Sequence, residues 1–486
     1  MLFASPGYMG AVSPASSLTD PRQRGLIANT IVLGSGVMAV ALALGVPLGM
    51  VLSRCEPRQV SVFRFVLAIP LVLPSYVLTL AWILLFRTRL GSWVYSLPAA
   101  ALVLGFSFYP VVMLTTEAIL RSISSRFEEA GRLVASPLRV WLRILFPLVG
   151  PAWGAALLVV FVLAISDFAV PSMLRVRVYT TEVFTAFASL YDFRLATVMA
   201  WPLAGLAALA AVASLEFAHR PFVGRTEQAQ AGVRWSPSHQ RVAAALLGAF
   251  ALGAVALPVG AVAFGARGGR VSLTDGSSMS AICNSVWWSM AASSVVVLAG
   301  TLLGYWRVKA SRRLGHLAEI LWVVLFAVPA TTAGIGIIGL WNRPGVFGDI
   351  YRTDLIVVIA YVARFLPIGA VLCAAFVGRV TSGVEEAAVL SGASWRRTLV
   401  RIVLPLSTRG LAGVWLVVFI LMLGDVSLTI LVAPPGESNL AVRAYTLMAN
   451  SPIGDAARHA LIQVGLSLVP LTAMALLFRR SFESAT

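Results

Sequence analysis

Apolar segments of roughly 20 residues recur along the whole chain and limit its possible folds more than any other feature. A helix of about 20 apolar residues crosses about 30 Å of hydrocarbon. The composition agrees, because 59% of the residues are hydrophobic and 12% are charged. We therefore predict an all-α polytopic membrane protein with about 11–12 transmembrane helices. The apolar segments lie at residues 27–52, 62–86, 97–120, 149–171, 195–217, 242–266, 281–305, 318–341, 354–378, 409–432 and 457–478.

The basic residues indicate the orientation in the membrane. The net charge of +17 would suggest nucleic acid in a soluble protein, but here arginines concentrate in short loops between apolar segments. One set of loops and the C-terminal tail hold about 21 basic residues, and the other set holds about 12, so the first set and the C-terminus should be cytoplasmic. We expect a lipid bilayer and no nucleic acid around this chain. The polar N-terminal segment 1–26 lacks the pattern of a cleavable signal; it is then external, unless a further span precedes it.

The sequence repeats itself at a separation of 258 residues. Asp167 falls on Asp425, and one position of drift aligns Pro70 with Pro329. About six crossings separate the copies, so the two halves are parallel repeats. The other matches at this separation are Glu128 with Glu386, Ala130 with Ala388, Ser136 with Ser394, Arg139 with Arg397 and Pro147 with Pro405. An earlier pair at a slightly smaller separation, Asn29-Thr30 and Asn284-Ser285, opens a span in each half. The predicted organisation is a polar segment 1–26, a first half 27–220, a cytoplasmic linker 221–241 and a second half 242–486.

Each half contains one acidic and arginine-rich loop. In the second loop, Glu385 and Glu386 suit the first turn of a short helix, where carboxylates complement the helix dipole. The small residues 392–394 leave a shallow surface that another backbone can approach. Arginines after them can pair with partner carboxylates or lipid headgroups, and Pro405 suits the start of the next helix. An ordinary basic loop at the lipid surface would need neither paired acids nor duplication.

This loop resembles the cytoplasmic motif of ABC-importer permeases, E-A-A, three residues, G, and then I-x-x-P, here Glu386-Ala387-Ala388, Gly392, Ile402 and Pro405. The fused double arrangement is similar to the ferric-iron branch, whose relatives handle thiamine, polyamines and other small solutes. The resemblance implies a type I importer permease fold in a bacterial cytoplasmic membrane. It also implies two ATPase subunits and a periplasmic or extracellular solute-binding protein as partners. The implied ATPase-docking residues are Glu128, Glu129, Ala130, Ser136, Arg139 and Pro147 in the first loop, and Glu386, Ala387, Ala388, Gly392, Ala393, Ser394, Arg397 and Pro405 in the second.

The first loop departs from that motif. Val134 stands where the glycine is expected, and Pro137 follows Ser136. A branched side chain at a close contact would push the partner away, and Gly131 is the residue that could compensate. We therefore expect the first loop to be the weaker or differently seated contact.

Asp167 and Asp425 are predicted inside apolar spans, towards their outer ends. A carboxylate there is costly unless it faces protein or water. One interpretation places them at an outer gate, in the wall of the solute path or against the solute-binding protein. The other makes them structural acids that cap a helix or pair with Arg175 or Arg443. The outer loops 172–194 and 433–456 should receive the solute-binding protein, and Pro70, Pro74 and Pro329 should break or bend helices.

Enzymatic chemistry is not expected of this chain. Its only lysine, Lys309, is not part of a phosphate-binding loop, so ATP and Mg²⁺ should be bound by partner ATPase subunits and by no cofactor site here. The three cysteines are far apart, the four histidines lack paired spacing, and no metal site is predicted. The expected function is an ATP-driven importer permease, with ferric iron favoured over thiamine, a polyamine or an inorganic anion. The alternative is a secondary transporter driven by an ion gradient, which does not explain the acidic loops.

Overall fold

The computed structural model describes residues 21–55, 57–123, 125–219, 236–380 and 382–483. Helices form almost all of these ranges. The first half contains α1 (Pro21–Arg54), α2 (Pro57–Val72), α3 (Ser75–Leu90), α4 (Leu97–Ser122), α5 (Ser125–Val134), α6 (137–166), α7 (Ala169–Met173), α8 (Tyr179–Ala188) and α9 (Phe193–Ala218). The second contains α10 (237–266), α11 (Gly276–Lys309), α12 (Arg312–Ala327), α13 (Ala330–Trp341), α14 (Val346–Tyr351), α15 (Leu355–Val377), α16 (Ser382–Leu390), α17 (395–423), α18 (Thr429–Val432), α19 (Leu440–Asn450) and α20 (Ile453–Glu483).

The predicted polytopic helical architecture is confirmed. Within the described ranges, 10 helices are long and apolar enough to span a membrane, or 11 if α12 and α13 form one broken span. Most of the predicted N-terminal segment 1–26 and linker 221–241 lies outside the described residues. At their described ends both are helical, because α1 begins at Pro21 and α10 begins near Pro237.

Two predicted spans, 62–86 and 318–341, are broken in two by proline. Pro74 and Pro329 immediately precede α3 and α13, with nearly equal backbone angles of φ −55°, ψ 138° and φ −58°, ψ 145°. Proline pushes the residue before it out of the helical region, so the preceding helix ends there. The chain turns by 94° between α12 and α13. The predicted alignment of Pro70 with Pro329 is therefore wrong, since Pro70 lies inside α2 and Pro74 is the equivalent residue.

Three of the prolines within long helices each follow closely after a π-helical turn. The turns are Trp141–Leu145 before Pro147, Leu252–Ala256 before Pro258 and Leu399–Val403 before Pro405. A proline ring clashes with the carbonyl four residues back, and a wider turn there moves that carbonyl away. Pro405 thus lies inside α17 and does not begin it, which corrects the predicted helix start.

The two halves exchange contacts through equivalent helices. The last helix of the first half, α9, packs on the broken pair α12–α13 of the second, and α20 packs on the broken pair α2–α3 of the first. Helix α10 also packs on α2 and α3, beside α20. The largest buried apolar cluster accordingly joins α1–α4 and α6 to residues of α10, α19 and α20. Each broken helix pair of one half therefore packs against the last helix of the other half.

Candidate docking helices and central path

The acidic loops form the short helices α5 and α16, and each is held by one ion pair. Arg54, the last residue of α1, binds Glu128 with an Nη1–Oε2 distance of 2.6 Å. Lys309, the last residue of α11, binds Glu385 with an Nζ–Oε2 distance of 2.6 Å. Glu128 and Glu385 are both buried. Glu128 is therefore equivalent to Glu385, whereas the 258-residue shift had matched it with Glu386. The second loop contains one additional residue, and this residue comes after the docking helix α16.

The opposite side of α5 and of α16, the two predicted docking helices, is exposed. Leu133 and Leu390 occupy equivalent positions and have exposed fractions of 87% and 89%. Glu129, the equivalent of Glu386, is exposed like it. The two helices thus expose a leucine and a carboxylate at equivalent positions.

The inner sides of α5 and α16 carry small residues. A Cβ on Gly131 would lie 2.9 Å from Ile144 Cδ1 of α6, and Ala388 of α16 is buried. Gly131 therefore lets α5 approach α6, and it does not replace a glycine on the partner-facing side as predicted. Most of the other predicted docking residues are exposed, and Ala393 is half-buried. The exposed ones are Ala130 and Ala387 within the helices, and Ser136, Arg139, Pro147, Ser394, Arg397 and Pro405 outside them.

Gly392 is needed for a turn within this chain. Its φ is +78°, and a Cβ there would meet nothing within 4 Å. Val134 is the last residue of α5, where no positive φ is required. The one-residue shift leaves Gly392 without an equivalent in the first loop. Val134 therefore does not occupy the position equivalent to Gly392, and the weaker docking of the first loop stays a prediction.

Gly392→Ala should strain this turn by about 1–2 kcal/mol, because a residue with a Cβ pays that amount at positive φ. Amide hydrogen exchange of residues 385–398 in the detergent-purified chain should then accelerate by about 5- to 30-fold. Gly383→Ala is the matched control, since Gly383 lies on α16, just before this turn, with open space and no positive φ. Equal exchange in the two variants would contradict this role of Gly392.

Both docking helices lie on one face of the molecule. Helix α1 runs from α8, where Arg22 binds Glu182 at 2.9 Å, to α5. Helix α11 likewise runs from residues near α19 to α16. Helix α9 begins after α8, and His219 at its end is 3.5 Å from Glu319, which also binds Arg307 of α11. The α5 and α16 ends of the halves therefore meet at the same face.

Helices α8 and α19 occupy the opposite face and are fixed by the repeated pair noticed in the sequence. The Thr30 hydroxyl accepts from Tyr179 N–H at 2.9 Å, and the Ser285 hydroxyl accepts from Leu440 N–H at 2.7 Å. Tyr179 and Leu440 are the first residues of α8 and α19. The repeat thus positions two matching helices within the predicted receptor-facing loops 172–194 and 433–456.

Asp167 and Asp425 lie just after their long helices and not inside them, because α6 ends at Ser166 and α17 at Leu423. Each carboxylate accepts from a backbone N–H of the next short helix, Asp167 from Val170 at 2.9 Å and Asp425 from Leu428 at 2.8 Å. Helix capping, one of the two predicted interpretations, is therefore observed. The proposed partners Arg175 and Arg443 instead contact the Tyr95 ring and the Ser277 hydroxyl.

One charged residue inside an apolar span of the second half was not predicted. Arg364 lies midway along α15, donates to the Val328 carbonyl at 2.8 Å and interacts electrostatically with Asp425. Val328 is the last residue before the break at Pro329, so the arginine satisfies a carbonyl that the break frees. An arginine within the apolar segment 354–378 was the available signal. Asp425 in turn lies close enough to Asp167 for their charges to interact.

A direct hydrogen bond joins the halves nearby. The hydroxyls of Ser172 on α7 and Tyr445 on α19 are 2.5 Å apart. Ser75, at the start of α3, donates to Asp167 at 2.6 Å. Ser75 thereby connects the break in α2–α3 to Asp167. Arg364 connects the break in α12–α13 to Asp425.

Two homologous halves, a broken helix in each half and the matching short helices α5 and α16 on one face are features of a membrane permease. The chain belongs to the binding-protein-dependent transport system inner membrane components, whose family model matches residues 45–224 and 296–486. One match falls in each half, as the repeat predicted. The chain is thus a multi-pass ABC-importer permease, a transport subunit and not an enzyme. The alternative of a secondary transporter driven by an ion gradient is wrong.

Several relatives are similar over most of the chain. The putative ferric transport system permease protein FbpB 1 of Haemophilus influenzae is 26% identical over 83% of this chain and 69% of its own length. The ferric transport system permease protein FbpB of Actinobacillus pleuropneumoniae is 25% identical over 83% of this chain and 64% of its own length. The molybdenum transport system permease protein ModB of Mycobacterium tuberculosis is 27% identical over 31% of this chain. The chain thus spans about two thirds of the lengths of these two ferric relatives.

Proposed function

We propose that this permease imports ferric iron, delivered by a solute-binding protein and driven by two ATPase subunits. The observation that carries the solute assignment is the alignment with ferric permeases over 83% of the chain, whereas the molybdenum permeases align over 31%. The family assignment supports ATPase and solute-binding partners. Two docking helices with equal anchors support one ATPase subunit for each.

The proposed docking mode follows from the geometry of α5 and α16. Leu133 and Leu390 enter apolar depressions on the ATPase subunits, and Glu129 and Glu386 pair with cations at their edges. The inner carboxylates Glu128 and Glu385 tie each docking helix to the end of α1 or α11. A displacement of the ATPase subunits is then transmitted to these long helices, which contact α8 and α19 on the other face.

The solute path is proposed to run between the halves, past the breaks at Pro74 and Pro329. In this proposal Asp167 and Asp425 lie beside the path, together with Ser75, Arg364 and the hydrogen bond between Ser172 and Tyr445. Both aspartates already accept backbone N–H groups, which reduces their capacity to chelate a metal ion. The arrangement suits a gate that a cation passes, and the solute-binding protein holds the ion more tightly than the path does.

Transport in proteoliposomes tests the solute. The permease is reconstituted with its ATPase and solute-binding subunits, and ATP-dependent accumulation of radioactive ferric iron is measured beside thiamine, putrescine and molybdate. Ferric iron alone should accumulate. Accumulation of another solute in place of iron would refute the assignment. Mass measurement of the intact complex should show two ATPase subunits per permease chain.

The docking mode is tested separately by Glu386→Ala combined with Gly392→Ala. This pair removes one partner-facing carboxylate and strains the adjacent turn, so less ATPase should copurify with the permease. Glu437→Ala, which changes an exposed carboxylate near α19 on the opposite face, is the control. ATPase capture that stays unchanged in the double variant would reject α16 as a docking site.

An oxyanion is the second candidate solute, because Arg364 places a cation beside the path. Arg364→Gln should then abolish uptake of that anion, whereas it should leave a ferric-iron permease active. Molybdate in the same proteoliposomes is the appropriate probe, given the molybdenum permeases among the relatives.

A further inference from the structure

Two histidines and one glutamate from different halves meet at the docking face. His219 follows the last residue of α9, and His316 and Glu319 lie three residues apart on α12. Their potential ligand atoms, one nitrogen or oxygen from each residue, all lie within 4.8 Å of one another. The rings of His219 and His316 have centroids 5.1 Å apart in an edge-to-face arrangement. The sequence could not indicate this cluster, because its histidines are 97 positions apart and in different repeats.

The distances are close to those of a metal centre. His219 Nε2 and Glu319 Oε2 are 3.5 Å apart. A tetrahedral ion with bonds of about 2.0–2.1 Å places its ligand atoms about 3.3 Å apart. Residues three apart on a helix share a face, so His316 and Glu319 already point to the same side. The ligand atom of His316 lies within 4.8 Å of both of these atoms, so its distances to them must shorten by at most about 1.5 Å to reach tetrahedral spacing, which side-chain rotation can supply.

We propose that His219, His316 and Glu319 bind a divalent transition-metal ion of the Fe²⁺-to-Zn²⁺ class and thereby join the two halves. Two imidazoles and a carboxylate favour such ions, whereas Mg²⁺ and Ca²⁺ prefer oxygen ligands throughout. His219 belongs to the first half, and the other two ligands belong to the second. The site does not depend on which solute the permease carries.

The ion would compete with an existing contact. Arg307 Nη2 binds Glu319 Oε2 at 2.8 Å, and Arg307 lies two residues before Lys309, which holds the docking helix α16. The side chains of His219 and Glu319 have exposed fractions of 42% and 19%, so an ion can reach them from solvent. Metal binding would therefore occur beside the anchor of α16, where it can restrain movement between the halves.

Calorimetric titration of the detergent-purified full chain with Zn²⁺ tests the site. The affinity tag must contain no histidine. We expect one ion per chain, a rise in the thermal unfolding temperature that EDTA reverses, and no binding of Mg²⁺. His316→Asn, or separately His219→Asn, should weaken Zn²⁺ binding by more than about tenfold, since even outer-shell changes at metal sites cost 10- to 100-fold.

The matched control is His239→Asn, which removes an exposed imidazole from α10, where His239 contacts Ser236. It should leave Zn²⁺ binding unchanged. Co²⁺ gives a second readout, because it should develop visible absorption bands with the native chain and not with the His316→Asn chain. Equal Zn²⁺ affinity in the native chain and in both ligand variants would overturn the proposal. Size-exclusion profiles and metal-free unfolding temperatures matching the native chain establish that the variants are folded.

Discussion

Leu390→Asp should reduce the affinity of the permease for its ATPase subunit by about 10- to 100-fold. Burial of a leucine contributes about 1.5–3 kcal/mol, and each 1.4 kcal/mol is a factor of ten in affinity. The substituted carboxylate would also lose hydration at the contact, which raises the cost further. Leu390 is 89% exposed in the permease alone, so the substitution should leave the permease itself folded. Binding of the purified ATPase subunit to detergent-solubilised permease measures the effect.

Two further variants make this experiment specific. Leu314→Asp changes an exposed leucine at the start of α12, on the same face but outside both docking helices, and should leave ATPase binding within about threefold of the native value. Leu133→Asp should weaken binding about as much as Leu390→Asp, because α5 has the same anchor and an equally exposed leucine. An ATPase affinity that Leu390→Asp leaves unchanged would remove α16 from the interface.

Glu385→Ala should separate ATPase binding from transport. Glu385 is buried and binds both Lys309, at 2.6 Å, and the Tyr305 hydroxyl, at 3.1 Å. Removing one partner of a buried ion pair costs about 3–5 kcal/mol of stability. Because the Lys309 side chain is half-exposed and partly screened by solvent, we expect a cost near the lower end of that range. We expect ATP-dependent solute uptake to fall by at least about tenfold, while ATPase binding changes by less than about threefold because Leu390 and Glu386 are unaltered.

The reversed pair Lys309→Glu with Glu385→Lys provides the control for that experiment. If the ion pair itself transmits movement from α16 to α11, the double variant should recover part of the uptake that each single variant loses. Native uptake by Glu385→Ala in proteoliposomes would contradict a coupling role for this ion pair. Loss of uptake together with ATPase binding would instead assign Glu385 to the docking surface.

Much of this architecture could be predicted because membranes impose simple rules on sequence. The apolar spans gave the number of long helices, and the repeat gave two parallel halves that the family match confirms. The residue-by-residue alignment of the two halves was harder to predict from the sequence. The equivalence of Glu128 with Glu385 depends on which carboxylate reaches the end of α1 or α11, and a single added residue after α16 hides it in an ungapped comparison.

The polar contacts of the interior were the least predictable part. Apolar sequence continues past Ser166 and Leu423, so hydropathy alone extends both helices over the aspartates that in fact follow them. The positions of Arg364 beside Val328 and of His219 beside Glu319 arise from packing between distant segments. Neither has a local sequence pattern, although an arginine inside an apolar span is itself a warning of a functional position.

Cysteine labelling tests most directly whether α5 and α16 are paired docking helices on the cytoplasmic face. Leu133→Cys and Leu390→Cys are made singly in a chain whose Cys55, Cys283 and Cys373 are replaced, and a membrane-impermeant maleimide is applied to spheroplasts and to inside-out vesicles. Both cysteines should react only in inside-out vesicles, and added ATPase subunit should protect both. Labelling of the two positions from opposite sides of the membrane, or labelling that the ATPase leaves unchanged at both, would contradict the account.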